Sequence, residues 1–195
     1  MFKRLSLTTA IFAAAAAPAL AHLDPLEHGS FAAGFSHPIF GLDHVLAMLA
    51  VGLWAAQVAR AEAHRAALWI VPLAFVATMG LGFGVALAGI ELPFVEPAIL
   101  ASVIALGLLV AVAAQLPASA CAAVVAVFAL FHGHAHGDEL GSAGALAFGI
   151  GFMIATSLLH VAGIGMGFAI LRISPRLARL LGFVTAMLGL TLAFG

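Results

Sequence analysis

The chain has 195 residues, of which 65% are hydrophobic and only 8% charged, with a mean hydropathy of +1.23 and a formal net charge of −1. Soluble domains run at roughly 45–50% apolar and about 25% charged, so the composition excludes a soluble globular domain and describes an all-α, polytopic integral membrane protein. No basic face is present, which excludes nucleic acid as a partner, and the single cysteine, Cys121, excludes an internal disulfide and reads as a small buried hydrophobe.

Residues 1–21 have the pattern of a cleavable secretory signal. Lys3 and Arg4 form a positive start, Leu5 to Ala17 is apolar, and Ala19-Leu20-Ala21 is an Ala-x-Ala cleavage site. The alternative is an uncleaved first span. Cleavage would leave residues 22–195 as one transmembrane domain with an external N-terminus at His22, whose free amine and imidazole would chelate a metal together. His22 to Ser36, with Asp24, Glu27 and His28, reads as a polar external lead-in.

Six spans are expected after it. Helix one is predicted to start near Pro38, since proline suits a first helical turn, and to run to about Ala59. Helix two covers about Ala66 to Ile90 and helix three about Ala98 to Leu116, with Glu91 to Pro97 as the loop between them. Helix four starts at the turn Pro117-Ala118-Ser119 and runs into a histidine cluster. Helix five covers about Ser142 to Leu171. Helix six covers about Leu180 to Phe194, and is short unless it begins at Arg176.

Charge placement orients these spans. Arg60, Arg65, Arg172, Arg176 and Arg179 are all the Lys and Arg beyond residue 21, and all fall in the 1–2 and 5–6 connections. Asp24, Glu27, Glu91, Glu96, Asp138 and Glu139 fall at the other end. Short loops rich in Lys and Arg stay in the cytoplasm, so the mature N-terminus is expected to be periplasmic in a bacterial inner membrane.

The chemistry concentrates in Phe131-His132-Gly133-His134-Ala135-His136-Gly137-Asp138-Glu139, which holds three of the nine histidines beside two carboxylates. Ala118 to Phe131 would rise only about 21 Å, short of a hydrocarbon core of about 30 Å. Helix four must therefore borrow residues through about His136, which places imidazoles in the outer part of the membrane. Ionisable groups there mark function by default, and imidazoles beside carboxylates suit Ni²⁺, Co²⁺ or Zn²⁺. On a continuous helix His132, His136 and Glu139 share one face, while His134 and Asp138 point the other way. Gly133 and Gly137 either allow close helix contact or open the backbone.

Helix one supplies the partner. His37, Gly41, His44 and Met48 would line one stripe, with Asp43 beside it and at a depth similar to the cluster. Asp43 must pair with a cation or orient a ligand histidine, and Met48 reads as packing before soft ligand. His160, near the middle of helix five, is either an inner ligand or proton acceptor, or a histidine hydrogen-bonded to Ser or Thr.

At these residues the chain resembles the HupE/UreJ family of nickel/cobalt permeases. That family's signatures are a histidine, five residues, then Asp-His in the first span, and Phe-His-Gly-x-Ala/Val-His-Gly-x-Glu in the fourth. His37 to His44 and Phe131 to Glu139 match both without a departure, and His134 and Asp138 fall at free positions. The resemblance implies His37, Asp43, His44, His132, His136 and Glu139 as metal-handling residues. Apart from the resemblance, the residues themselves add His22, His134, Asp138 and His160 as secondary metal candidates.

The resulting expectation is a secondary transporter, not an enzyme, for Ni²⁺ or Co²⁺ as cargo. No resident cofactor is expected, although the same ligands would hold Zn²⁺. Partners would be the bilayer, and a metallochaperone or second copy of the chain. No G-x-x-x-x-G-K-[ST] loop is present to couple ATP. The alternative from another class is an intramembrane zinc-dependent hydrolase with Glu139 or Asp43 as base, although no H-E-x-x-H motif is present.

Overall fold

A computed structural model describes residues 30–60, 64–140 and 144–195, with the side chain of Glu139 outside the described set. The expected signal segment, its cleavage site and His22 likewise lie outside the described residues. Among the described residues there are seven helices and no strand: α1 (Phe31–Phe40), α2 (Leu42–Val58), α3 (Ala67–Leu87), α4 (Val95–Val112), α5 (Ala118–Leu140), α6 (Ala145–Ile173) and α7 (Pro175–Phe194). Five of them, α3 to α7, are long and apolar enough to cross a bilayer, and α1 with α2 makes a sixth if that bent pair is one span. Their outer faces carry exposed apolar side chains such as Trp69, Leu81, Leu146 and Phe183, as expected of a multi-pass membrane protein whose solvent is lipid.

The first span departs from its expected form. The helix begins at Phe31, where the Ser30 hydroxyl accepts the Ala33 N–H at 3.0 Å. Pro38 lies inside α1, not at its start. The helix then breaks at Gly41, which is extended (φ −78°, ψ 114°), and α2 leaves at 79° to α1. His37, Gly41, His44 and Met48 therefore do not form one helical stripe. Space at the break is tight: a Cβ there would lie 3.1 Å from Nδ1 of His44 and 3.2 Å from Oδ1 of Asp43, so those side chains would have to shift by a few tenths of an ångström.

Other boundaries move for local reasons. Helix α3 ends at Leu87 because Gly89 adopts φ +74°, with Gly89 N–H on the Ala86 carbonyl and Ile90 N–H on the Val85 carbonyl. Helix α4 takes Pro97 into its first turn and stops at Val112, before the expected Leu116. Ala113 there is left-handed (φ 53°), a conformation that costs a non-glycine residue. Side chains from two neighbours hold it. Gln57 Nε2 donates to the Val110 carbonyl at 3.1 Å, Trp54 Nε1 to Ala114 at 2.9 Å, and Arg179 Nε to Ala111 at 2.8 Å. These bonds satisfy carbonyls that a helix end leaves without partners. Helix α7 starts at Pro175, capped by Ser174, so Arg176 and Arg179 lie on the helix and not in a turn.

Packing is set by backbone approach. Helix α3 lies along α5, α2 along α6, and α4 along α7, while α1 lies across α6. On α3 and α5, a Cβ on Gly82 would overlap the Leu130 carbonyl, and one on Gly133 would overlap the Met79 carbonyl. Small residues permit such contact where lipid offers no hydrophobic drive for association. Of the two roles considered for Gly133 and Gly137, close helix contact is the one the fold uses. Arg60 and Arg179 meet at one end of the bundle with Gln57 and Gln115. The loop carrying Glu91 lies at the opposite end, beside the C-terminal part of α5, where His134 bonds Ile90.

Candidate metal site

The break at Gly41 is what assembles the site. On a straight helix His37 and His44 would be separated by about 10.5 Å of rise. Across the bend their ring centroids are 5.6 Å apart. Helix α5 remains continuous through the cluster, so it does finish its span with the histidines, and His132 and His136 sit one turn apart on the inward face. The His136 ring lies 4.3 Å from that of His37 and 4.8 Å from that of His44. One ligand atom from each of His37, His44 and His136 falls within 4.8 Å of the others.

Nδ1 of His44 lies 3.1 Å from Oδ1 of Asp43, a close charge contact outside hydrogen-bond alignment. Nε2 of His44 lies 2.8 Å from Nε2 of His136, a hydrogen bond in which one of the two nitrogens carries the proton. Two nitrogens bound at right angles to one ion at about 2.05 Å would be about 2.9 Å apart. The His44–His136 hydrogen bond is close to that length, so little movement would turn both nitrogens toward one cation. Asp43 sits in the first turn of α2, where the helix dipole favours a negative charge. It sits directly against the His44 ring.

His132 is fully buried one turn deeper, with its ring centroid 5.0 Å from that of His44. The Ser102 hydroxyl donates its one proton to the Ile99 carbonyl at 2.6 Å, so its oxygen accepts Nε2–H of His132 at 2.9 Å. Nδ1 of His132 is thereby the unprotonated nitrogen. The walls are apolar: Phe152 packs 4.8 Å from His136 and Phe148 6.1 Å from His37, both from α6.

The remaining candidates are placed elsewhere. His134 turns away and donates Nε2–H to the Ile90 carbonyl at 2.7 Å, tying α5 to the end of α3. Asp138 is exposed. Met48 is buried in the apolar core. His160 is buried deeper in the bundle, against Phe75. Glu139 lies on α5, and its side chain is outside the described set. Sequence reasoning missed Ser102, Phe148 and Phe152. A lone serine and two phenylalanines in apolar spans carry no spacing signal, so only packing could have found them.

The family model for the HupE / UreJ protein matches residues 10–192. The chain belongs to the HupE/UreJ family. The HupE/UreJ assignment is reinforced by a relative along nearly the whole length: Protein HupE of Rhizobium leguminosarum bv. viciae is 43% identical over 197 residues, covering 98% of this chain and all of that protein. No solved structure matches the chain. The histidine cluster therefore lies in a HupE/UreJ protein built of membrane-crossing helices, and the two signature segments are the ones that the fold brings together.

Proposed function

We propose that the chain is a secondary transporter (permease) that takes up Ni²⁺ and/or Co²⁺ across a bacterial inner membrane. The arginine end of the bundle faces the cytoplasm and the acidic end, with the mature N-terminus, faces the periplasm. The observation that carries this reading is the convergence of His37, His44 and His136 from a broken span and a continuous one. Broken spans that line an ion site are a recurring device of secondary transporters.

In this reading acidic groups at the outer end draw the cation in. The imidazoles of His37, His44 and His136 replace part of its water shell, Asp43 offsets charge through His44, and His132 stands next inward. Glu139 is assigned to the same site by its place in the signature. All-nitrogen and oxygen ligation without thiolate suits a site that must release as well as bind. The hydrolase alternative has less support, because Asp43 is engaged with His44 and not set to activate water.

The direct test is uptake of radioactive Ni²⁺ and Co²⁺ into cells lacking their own nickel transporters. Uptake above the vector control supports the reading. Metal binding by the purified protein with no uptake, together with turnover of a lipid or peptide, would replace it with the hydrolase.

Two substitutions probe the orienting groups. Asp43→Asn keeps the side-chain shape beside His44 but removes the charge, and should lower uptake about 10- to 100-fold, the usual loss for a partner behind a ligand histidine. Ser102→Ala removes the acceptor that sets the His132 tautomer, and a fall of about tenfold is expected at unchanged membrane level. Wild-type uptake by Ser102→Ala would show that the His132 tautomer is not under selection by this contact.

A further inference from the structure

His160 is fully buried on α6, and neither of its ring nitrogens has a hydrogen-bond partner among the described residues. Leaving a buried polar group unpaired is costly. The bland explanation, a structural bond to a neighbouring hydroxyl, does not hold. The Thr156 hydroxyl points to the Met79 sulfur at 3.8 Å, and the Ser157 hydroxyl donates to the Met153 carbonyl at 2.7 Å.

The position of His160 is in line with the outer site. Phe148, Phe152, Thr156 and His160 recur every four residues on α6, and all are buried. Phe152 stands at the level of His136. Gly52 of α2 abuts the His160 carbonyl, and Gly52 lies eight residues beyond His44, about 12 Å deeper along the helix. His132 lies between these levels, one turn or about 6 Å below His136. Phe75 packs against both His132 and His160, with ring centroids 5.8 Å and 5.0 Å away.

We infer that His160 is a second, inner coordination station for the divalent cation, reached from His132 past the ring of Phe75. This rests on the permease reading. The ion takes one imidazole nitrogen from His160, and its remaining water ligands enter with it as the packing around Phe75 opens. A single protein nitrogen binds weakly, which favours release toward the arginine end. Phe75 acts as a plug between the stations, so that outer loading and inner release need not share an open path.

The test uses the full chain with His160→Leu and His160→Cys, beside wild type and His136→Ala. Ni²⁺ titration of purified protein reads the outer site, and uptake of radioactive Ni²⁺ and Cd²⁺ into proteoliposomes reads passage. His160→Leu should bind Ni²⁺ within about twofold of wild type yet carry it about tenfold or more slowly, whereas His136→Ala loses binding itself. His160→Cys should recover part of the passage and shift it toward Cd²⁺, because a thiolate is the softer ligand. Wild-type uptake by His160→Leu, or equal inactivity of the Leu and Cys variants toward both metals, would overturn the inference and leave the outer site standing. If His160→Leu fails to fold, His160→Cys against His160→Ala reads the same contrast. Absence of uptake by the wild type would sink the permease reading, and the inner station with it.

Discussion

Cells carrying His136→Ala or His44→Ala are expected to take up about a hundredfold less Ni²⁺ than cells carrying the wild type at equal membrane level, the upper end of losses at tuned metal sites. Each substitution removes one of the two nitrogens that face each other at 2.8 Å. His44→Ala also strips Asp43 of its partner. Because the two imidazoles act on one ion, the double variant should be little worse than either single one, as for residues that work as a unit. His134→Ala is the control. His134 sits between the two cluster residues of α5 in sequence, but it spends its ring on the Ile90 carbonyl. Its loss should cost roughly 1 kcal/mol of stability and leave Ni²⁺ affinity unchanged. The checks are isothermal titration with Ni²⁺ and radioactive uptake. An equal loss from His134→Ala would contradict the site as built here.

The second large effect concerns assembly. Gly133→Val should fail to give a stable protein in detergent, with a cost of about 3 kcal/mol or more from overpacking. A Cβ on Gly133 would overlap the Met79 carbonyl and lie 2.9 Å from the Phe83 nitrogen, so α3 and α5 would have to part. Backbone cannot yield as a flexible side chain does. The parting would also pull His132 and His136 from their partners, since they flank Gly133 on the same helix. Gly165→Ala is the matched control, because a Cβ at Gly165 meets nothing within 4 Å. Thermal melting followed by fluorescence size-exclusion should show a lost peak for the first variant and an unchanged midpoint for the second.

Much of the fold was legible because lipid simplifies the code. Apolar runs of about twenty residues announce spans when the backbone must satisfy itself. The shortness of the apolar part of α5 was enough to predict that the histidines lie within the helix, and α5 does run unbroken to Leu140. The i, i+4 spacing placed His132 and His136 on one face and His134 on another, as the structure has them. The break at Gly41 was not legible. Its φ of −78° is open to any residue, and the tight space beside it is set by Asp43 and His44 only after folding. Ala113 hid the end of α4 in the same way, because its left-handed turn is held by Gln57, Trp54 and Arg179 from distant parts of the chain.

The sequence by itself determined the class of protein, the approximate spans, the gathering of the arginines in two connections, and the two histidine-bearing segments that the fold brings together. These rest on composition and on periodicity, which are local and additive along the chain. Tertiary structure alone decided which imidazoles meet and what encloses them. His37 reaches His44 only through the 79° bend. His44 lies against Asp43 and the His132 tautomer depends on Ser102, and the apolar wall comes from Phe148 and Phe152. The physical reason is that ligand convergence depends on contacts made at a few ångströms between residues 92 positions apart in the chain, as His44 and His136 are, and no spacing rule along one helix encodes such a meeting.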